Sequence, residues 1–190
     1  MPSRKKPSVR TRVLAGGAAL AVVGAGVVGT VAAGAADSTA ATPATPAAPV
    51  AARGSELTRS THLTLDAATK AARAAVEAAE KDGRQVSVAV VDRNGNPLVT
   101  LRGDGAGPQS YDSAERKAFT AVSWNAPTSE LARRLAQAPN LKDIPGTLFL
   151  AGGTPVTAEG APVAGIGVAG APSGDLDERY AQAGAAVLGR

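Results

Sequence analysis

The residue types and spacings that could do chemistry fall into three groups. The first is "GDGAGPQSYDSAERKAFTAV", Gly103 to Val122, a Gly-rich turn feeding a helix. Backbone amides in such a turn can hold a phosphate. A nucleotide loop also needs Lys-Ser or Lys-Thr after the glycines and a preceding strand that opens a βαβ unit. No such dipeptide follows here, and the strand before the glycines reads as the return arm of a hairpin, so the glycines read as a sharp strand-to-helix connection. The second group is carboxylates about one helical turn apart: Glu77 with Glu80, Asp112 with Glu115, and the cluster Asp175, Asp177 and Glu178. Paired oxygens of this kind hold hard cations such as ferric iron. Each also has an ordinary structural role. Glu77 can pair with Arg73 and Lys81 on a polar helix face, and the Asp175 cluster opposes the positive end of its own helix. The third is His62, the single histidine in a chain without cysteine. A serine–histidine–carboxylate triad would depend on that one residue beside a flexible segment, and there is no cysteine nucleophile, which argues against nucleophilic catalysis.

The elements that must position these groups follow from periodicity. Leu63 to Lys81 carries an apolar stripe of Leu65, Ala68, Ala72, Ala75, Val76 and Ala79, and Thr64 is the expected N-cap. "QVSVAVVD" alternates as a strand, Asn94-Gly95 makes a hairpin turn and "PLVTLRG" returns. Helices are expected over Ser110 to Trp124, from a cap at Thr128 through "TSELARRLAQA", and from a cap at Ser173 over Asp175 to Leu188. "GTLFLAGGTPVT" and "APVAGIGVAGA" read as strands around a turn at Glu159-Gly160. The expected fold is α+β: a single domain with an antiparallel sheet and packed helices. Aromatic residues make up 3% of the chain, so the core is one of small side chains. Without disulfides, such a core predicts an oligomeric protein.

Residues 1–36 read as a signal peptide. Five Lys and Arg precede a charge-free run, and Ala33-Gly34-Ala35 fits the small-x-small cleavage rule. The modest hydrophobicity of the run suits export by the twin-arginine route, although Arg4-Lys5 stands where an arginine pair would be. Residues 37–56 are rich in Ala, Pro and Thr and read as a flexible linker, leaving 57–190 as the domain. Cleavage leaves 15 basic residues against 16 acidic ones, a net charge of −1. The basic character belongs to the leader, and composition gives no basis for nucleic-acid binding.

Several blocks in order, "VSVAVVDRNGNPLVTLRGDGAGPQSYDSAERKAFTAVSWNAPTSELA", "LFLAGGTPV", "GAPVAGIGVAG" and "DLDERYAQAGAAVL", resemble the GlcG/HbpS family, also described as haem-degrading domains. The resemblance covers about Leu63 to Leu188. It implies an extracellular octamer that binds haem b, senses haem or redox stress, and partners the extracytoplasmic part of a membrane sensor histidine kinase. It is also compatible with an enzyme that consumes peroxide or degrades haem, and with a corrinoid- or small-molecule-binding module. Haem iron takes His, Met, Cys or Tyr as axial ligand, which in the mature chain leaves His62, Tyr111 and Tyr180. The resemblance directs attention to the helix after the Gly-rich turn, where Thr120 lies beside Arg116 and Lys117. There the hydroxyl would meet iron and the two cations the propionates. An ordinary helical threonine would instead bond the carbonyl four residues back.

Overall fold

The computed structural model describes residues 49–189. The expected leader and most of the linker therefore lie outside the described residues. Four strands, β1 (Ser87–Asp92), β2 (Pro97–Arg102), β3 (Gly153–Ala158) and β4 (Ala161–Ala169), form an antiparallel sheet in the order β2-β1-β4-β3. The helices are α1 (Leu65–Lys81), α2 (Pro108–Trp124), the short α3 (Thr128–Arg134) and α4 (Gly174–Ala186). The α+β architecture is as the sequence predicts.

Strand alternation divides the helices between the two faces. Val88 and Val90 of β1, with Ala164, Ile166 and Val168 of β4, pack under α1 and α4. Ala89 and Val91, with Ala169, pack under α2 with Ala114, Ala118 and Val122. On the first face, α1 lays down Ala68, Ala71, Ala72, Ala75 and Ala79, all fully buried. Gly184 of α4 lets the two helices approach: a Cβ there would sit 2.7 Å from the Ala71 carbonyl oxygen. On the second face, α2 rests directly on β4 because residues 165 and 167 are glycines. A Cβ on either would collide with the carbonyl of Ala118 or Ala114.

The caps form largely where expected. The Thr64 side chain accepts from the Ala67 amide and the Ser173 side chain from that of Leu176. Gly95 has φ +90°, and the β3–β4 turn has both Glu159 and Gly160 at positive φ. In the Gly-rich connection, Gly105 takes φ +76° and Pro108 opens α2 at its first turn.

Two expectations are corrected. Pro127, not Thr128, is the cap position of α3. Thr128 points inward, where its hydroxyl accepts from the Gly153 amide at 2.7 Å. The stretch from Gly146 to Gly152 is not strand. Gly152, at φ +133°, turns out of the ladder. It still accepts from the Val168 N–H at 2.8 Å, but its own N–H goes to Glu178 at 3.3 Å. The Val168 carbonyl, which a continuing strand would have satisfied, receives the Lys117 ammonium at 3.0 Å instead. Side chains from α2 and α4 thus end β3.

Candidate functional site

Helix α2 sets the geometry. Its inner face is fixed on β4 by Ala114 and Ala118, so Tyr111, Asp112, Glu115 and Arg116 are carried outward. Tyr111 is exposed, and so is Asp112. Arg116 is held at three points. Its backbone carbonyl accepts from the Thr120 hydroxyl at 2.7 Å, its guanidinium donates to the Thr147 carbonyl at 2.8 Å, and Asp112 lies 3.7 Å from its other terminal nitrogen. Glu115 accepts from the Thr100 hydroxyl at 2.9 Å, tying α2 to the edge strand. Above these residues, Val91, Gly95, Pro97, Glu115, Arg116, Phe119 and Gly146 line a shallow cleft of about 220 Å³. The Phe119 ring fills the space a side chain at Gly95 would need. The cleft is therefore apolar on its hairpin side and cationic at Arg116. Its volume falls below the range of pockets that enclose a ligand, so it could hold one edge of a flat aromatic molecule and leave the rest in solvent.

Two of the sequence candidates on this helix face the other way. Thr120 is fully buried. Besides donating to Arg116, its hydroxyl accepts from the Leu148 amide at 2.8 Å. The local back-bond expected of a helical threonine is present, and the hydroxyl has a second task in anchoring the loop that positions Arg116. Lys117 is buried as well, its ammonium 2.8 Å from Asp177 Oδ2. As placed, neither side chain reaches the outer face with Tyr111 and Arg116.

The acidic cluster divides at the start of α4. Asp175 is exposed, while Asp177 and Glu178 are buried. Asp177 accepts from Lys117 and from the Ala171 amide at 2.9 Å. Burial pushes its pKa above the ordinary carboxylate value and outweighs the lowering by Lys117. Glu178 accepts from the Ser129 hydroxyl at 2.6 Å and the Ser129 amide at 2.9 Å, besides Gly152. These two carboxylates join α2, α3 and α4 to the end of β3. The sequence reading missed Thr128, Ser129 and Gly152 as their partners, which are remote in sequence and carry no local signal.

Glu77 and Glu80 lie exposed on α1. With Arg73, Leu101, Arg102 and Asp104 they line a groove between α1 and β2. Among the described residues no group of three or more His, Cys, Asp or Glu side chains converges as a metal cluster.

His62 sits at the hairpin tip on the α1 side of the sheet, away from Thr120. Its Nε2 is 2.7 Å from the Ser60 hydroxyl, and its Nδ1 is 4.0 Å from Asp92 Oδ2. Asp92 organises the tip. Its Oδ1 accepts from the Asn94 amide at 2.8 Å and the Asn96 amide at 2.9 Å. Burial of Asp92 opposes ionisation, but these amides, the Asn96 side chain and His62 together hold its pKa below the ordinary value. Tyr180, the remaining phenol considered for iron, is buried, and its hydroxyl donates to Asp82 at 2.9 Å.

The family described as "Haem degrading protein HbpS-like" matches residues 63–186. Among solved structures, the chain is 92% identical to a double Glu-to-Asp variant of HbpS from Streptomyces reticuli, covering 76% of this chain and 99% of that one with a TM-score of 0.75. It is 91% identical to a second HbpS structure, covering 74% and 100% with a TM-score of 0.73. A PduOC–haem complex is 28% identical, covering 66% of this chain and 94% of that one with a TM-score of 0.61. No curated protein matches the chain.

Proposed function

The chain belongs to the HbpS-like family of haem-degrading proteins, and from that premise we propose that it is an exported haem-binding protein. In this reading it senses haem or redox stress and modulates a membrane sensor histidine kinase from outside the cell, working as an octamer. The observation that carries the reading is the identity of 91–92% to HbpS over essentially the whole of those chains. The haem complex of the more distant PduOC supports haem as the ligand of this fold.

The residues of α2 fit such a ligand. Tyr111, Arg116 and Phe119 follow one another along α2 over about 12 Å of helix. Tyr111, the exposed phenol on this helix, would offer one of the ligand types haem iron accepts. The Arg116 guanidinium, held by the Thr147 carbonyl, would meet a propionate, and Phe119 would wall the apolar edge. Haem b would supply redox-active iron. Tyr111, Arg116 and Phe119 would hold and orient it against the shallow cleft beside α2. Thr120 and Lys117 support this face from inside, and His62 lies apart from it.

Iron ions are a second ligand of this proposal. Glu77 and Glu80 are the only glutamates in the chain three residues apart. The HbpS variant named above carries its two Glu-to-Asp changes at the same spacing.

The deciding experiment is an absorption titration of the mature protein with hemin. Saturable binding with a shifted Soret band, weakened by Tyr111→Phe and by Arg116→Gln, supports the haem site on α2. Kinase modulation is tested with the sensor kinase in vesicles, comparing autophosphorylation with haem-free and haem-loaded protein. Equal rates would remove the signalling part of the proposal.

A further inference from the structure

The Ser60–His62–Asp92 group at the hairpin tip has no part in the haem reading, yet its atoms are arranged for a ligand. A direct hydrogen bond between imidazole and carboxylate would close to about 2.7–3.2 Å. Here Nδ1 and Oδ2 stand 4.0 Å apart. A tetrahedral ion bound about 2.0–2.2 Å from each donor would hold them roughly 3.4 Å apart, a separation that a small side-chain rotation reaches.

Both donors are already oriented from behind. Ser60 occupies the far nitrogen of the imidazole at 2.7 Å, which leaves Nδ1 to present its lone pair when Nε2 carries the proton. Two backbone amides hold Oδ1 of Asp92, which turns Oδ2 toward the histidine. Partners of this kind, which fix the tautomer and the carboxylate, characterise protein metal sites. Asn96 lies beside the same oxygen, its side-chain nitrogen 3.5 Å from Oδ2. Turned over, its amide oxygen would face the same point. The site is reachable, with the His62 side chain 35% exposed and that of Asp92 11%.

We propose that His62 and Asp92, completed by Asn96, form a binding site for one divalent transition-metal ion. One nitrogen and two oxygen donors suit zinc or copper better than magnesium or calcium, which prefer all-oxygen sets. The site is separate from α2, and the proposal does not depend on haem binding.

The test uses the haem-free protein and Zn²⁺. His62 is the only histidine, so the single imidazole C2–H proton resonance reports on this site alone, whatever the carboxylates elsewhere bind. The expected result is a saturable shift of that resonance at one Zn²⁺ per chain. Ser60→Ala should weaken the binding about tenfold, the usual effect of removing an orienting partner. Asp92→Asn should weaken it at least as much, while its remaining carbonyl oxygen still serves the two turn amides. Glu77→Gln should leave it unchanged. An imidazole resonance that stays in place up to roughly millimolar Zn²⁺ would overturn the proposal. Undiminished affinity in both Ser60→Ala and Asp92→Asn would also overturn it, because a lone surface imidazole would then account for the binding.

Discussion

Replacing Lys117 with methionine should unfold the protein more readily than any change on the outer face of α2. Methionine keeps the length and much of the apolar stem but removes the ammonium. Two acceptors depend on that ammonium: Asp177 Oδ2 at 2.8 Å and the Val168 carbonyl at 3.0 Å. Both ends of the Lys117–Asp177 pair are buried. Removing one member of a buried pair costs about 3–5 kcal/mol. The orphaned carbonyl alone would cost about 1–3 kcal/mol, and since the two effects overlap the expected loss is about 4 kcal/mol.

The loss should depend on pH, with a definite sign. Burial already raises the pKa of Asp177 in the folded protein above the ordinary 3.8, against the lowering influence of Lys117. A carboxyl raised on folding favours the native state when protonated. Its contribution is fully present below the unfolded pKa and is lost as pH rises through the folded one. Without the ammonium the folded pKa moves higher still. The deficit of Lys117→Met relative to the native sequence should therefore shrink as the pH is lowered from 7 toward about 5. Urea unfolding of both proteins at fixed protein concentration and several pH values measures this. A deficit below about 1 kcal/mol would contradict a buried, uncompensated Asp177, and a deficit that does not change with pH would contradict the assignment of the effect to that carboxylate. Replacing Asp177 by leucine in the same chain should recover part of the loss.

Further outcomes follow from the same geometry. Gly165→Ala places a methyl against the Ala118 carbonyl and should cost about 3 kcal/mol or displace α2 from the sheet, read as a drop in urea midpoint. Thr120→Val keeps the shape but leaves the Leu148 amide without its acceptor, a loss of about 1–3 kcal/mol. With hemin bound, the Soret position should stay where it is in the native protein. In a Tyr111→Phe background only Tyr180 absorbs as a tyrosine. Burial, then the hydrogen bond to Asp82, lifts its pKa above 10.0, so its spectrophotometric titration should be late, and Asp82→Asn should bring the midpoint down.

The sequence made the fold legible wherever the signal was local. Thr64 and Ser173 cap the helices they precede, and the alternating valines of β1 mark a strand with two buried faces. Asn94-Gly95 and Glu159-Gly160 supply positive φ where the hairpins turn. It failed where a charged residue points inward. Lys117 on a helix and Asp177 and Glu178 at a helix start have the composition of solvated positions. Only the arrival of β3 and α3, remote in sequence, makes them interior partners. The same long-range chemistry explains why Gly146 to Gly152 is not strand: Glu178 and Lys117 take the backbone groups a longer β3 would have used. Of the haem candidates, the residue types were readable, but the rotation of α2 on Gly165 and Gly167 was not. That rotation separates Tyr111 and Arg116 on the outside from Thr120 and Lys117 inside.

Whether haem lies on the outer face of α2 is decided by a hemin titration followed at the Soret band. The expected results are saturable binding by the native protein, a displaced band in Tyr111→Phe, weaker binding in Arg116→Gln and an unchanged spectrum in His62→Gln. A spectrum abolished by His62→Gln and untouched by Tyr111→Phe would rule out that face and move the haem to His62.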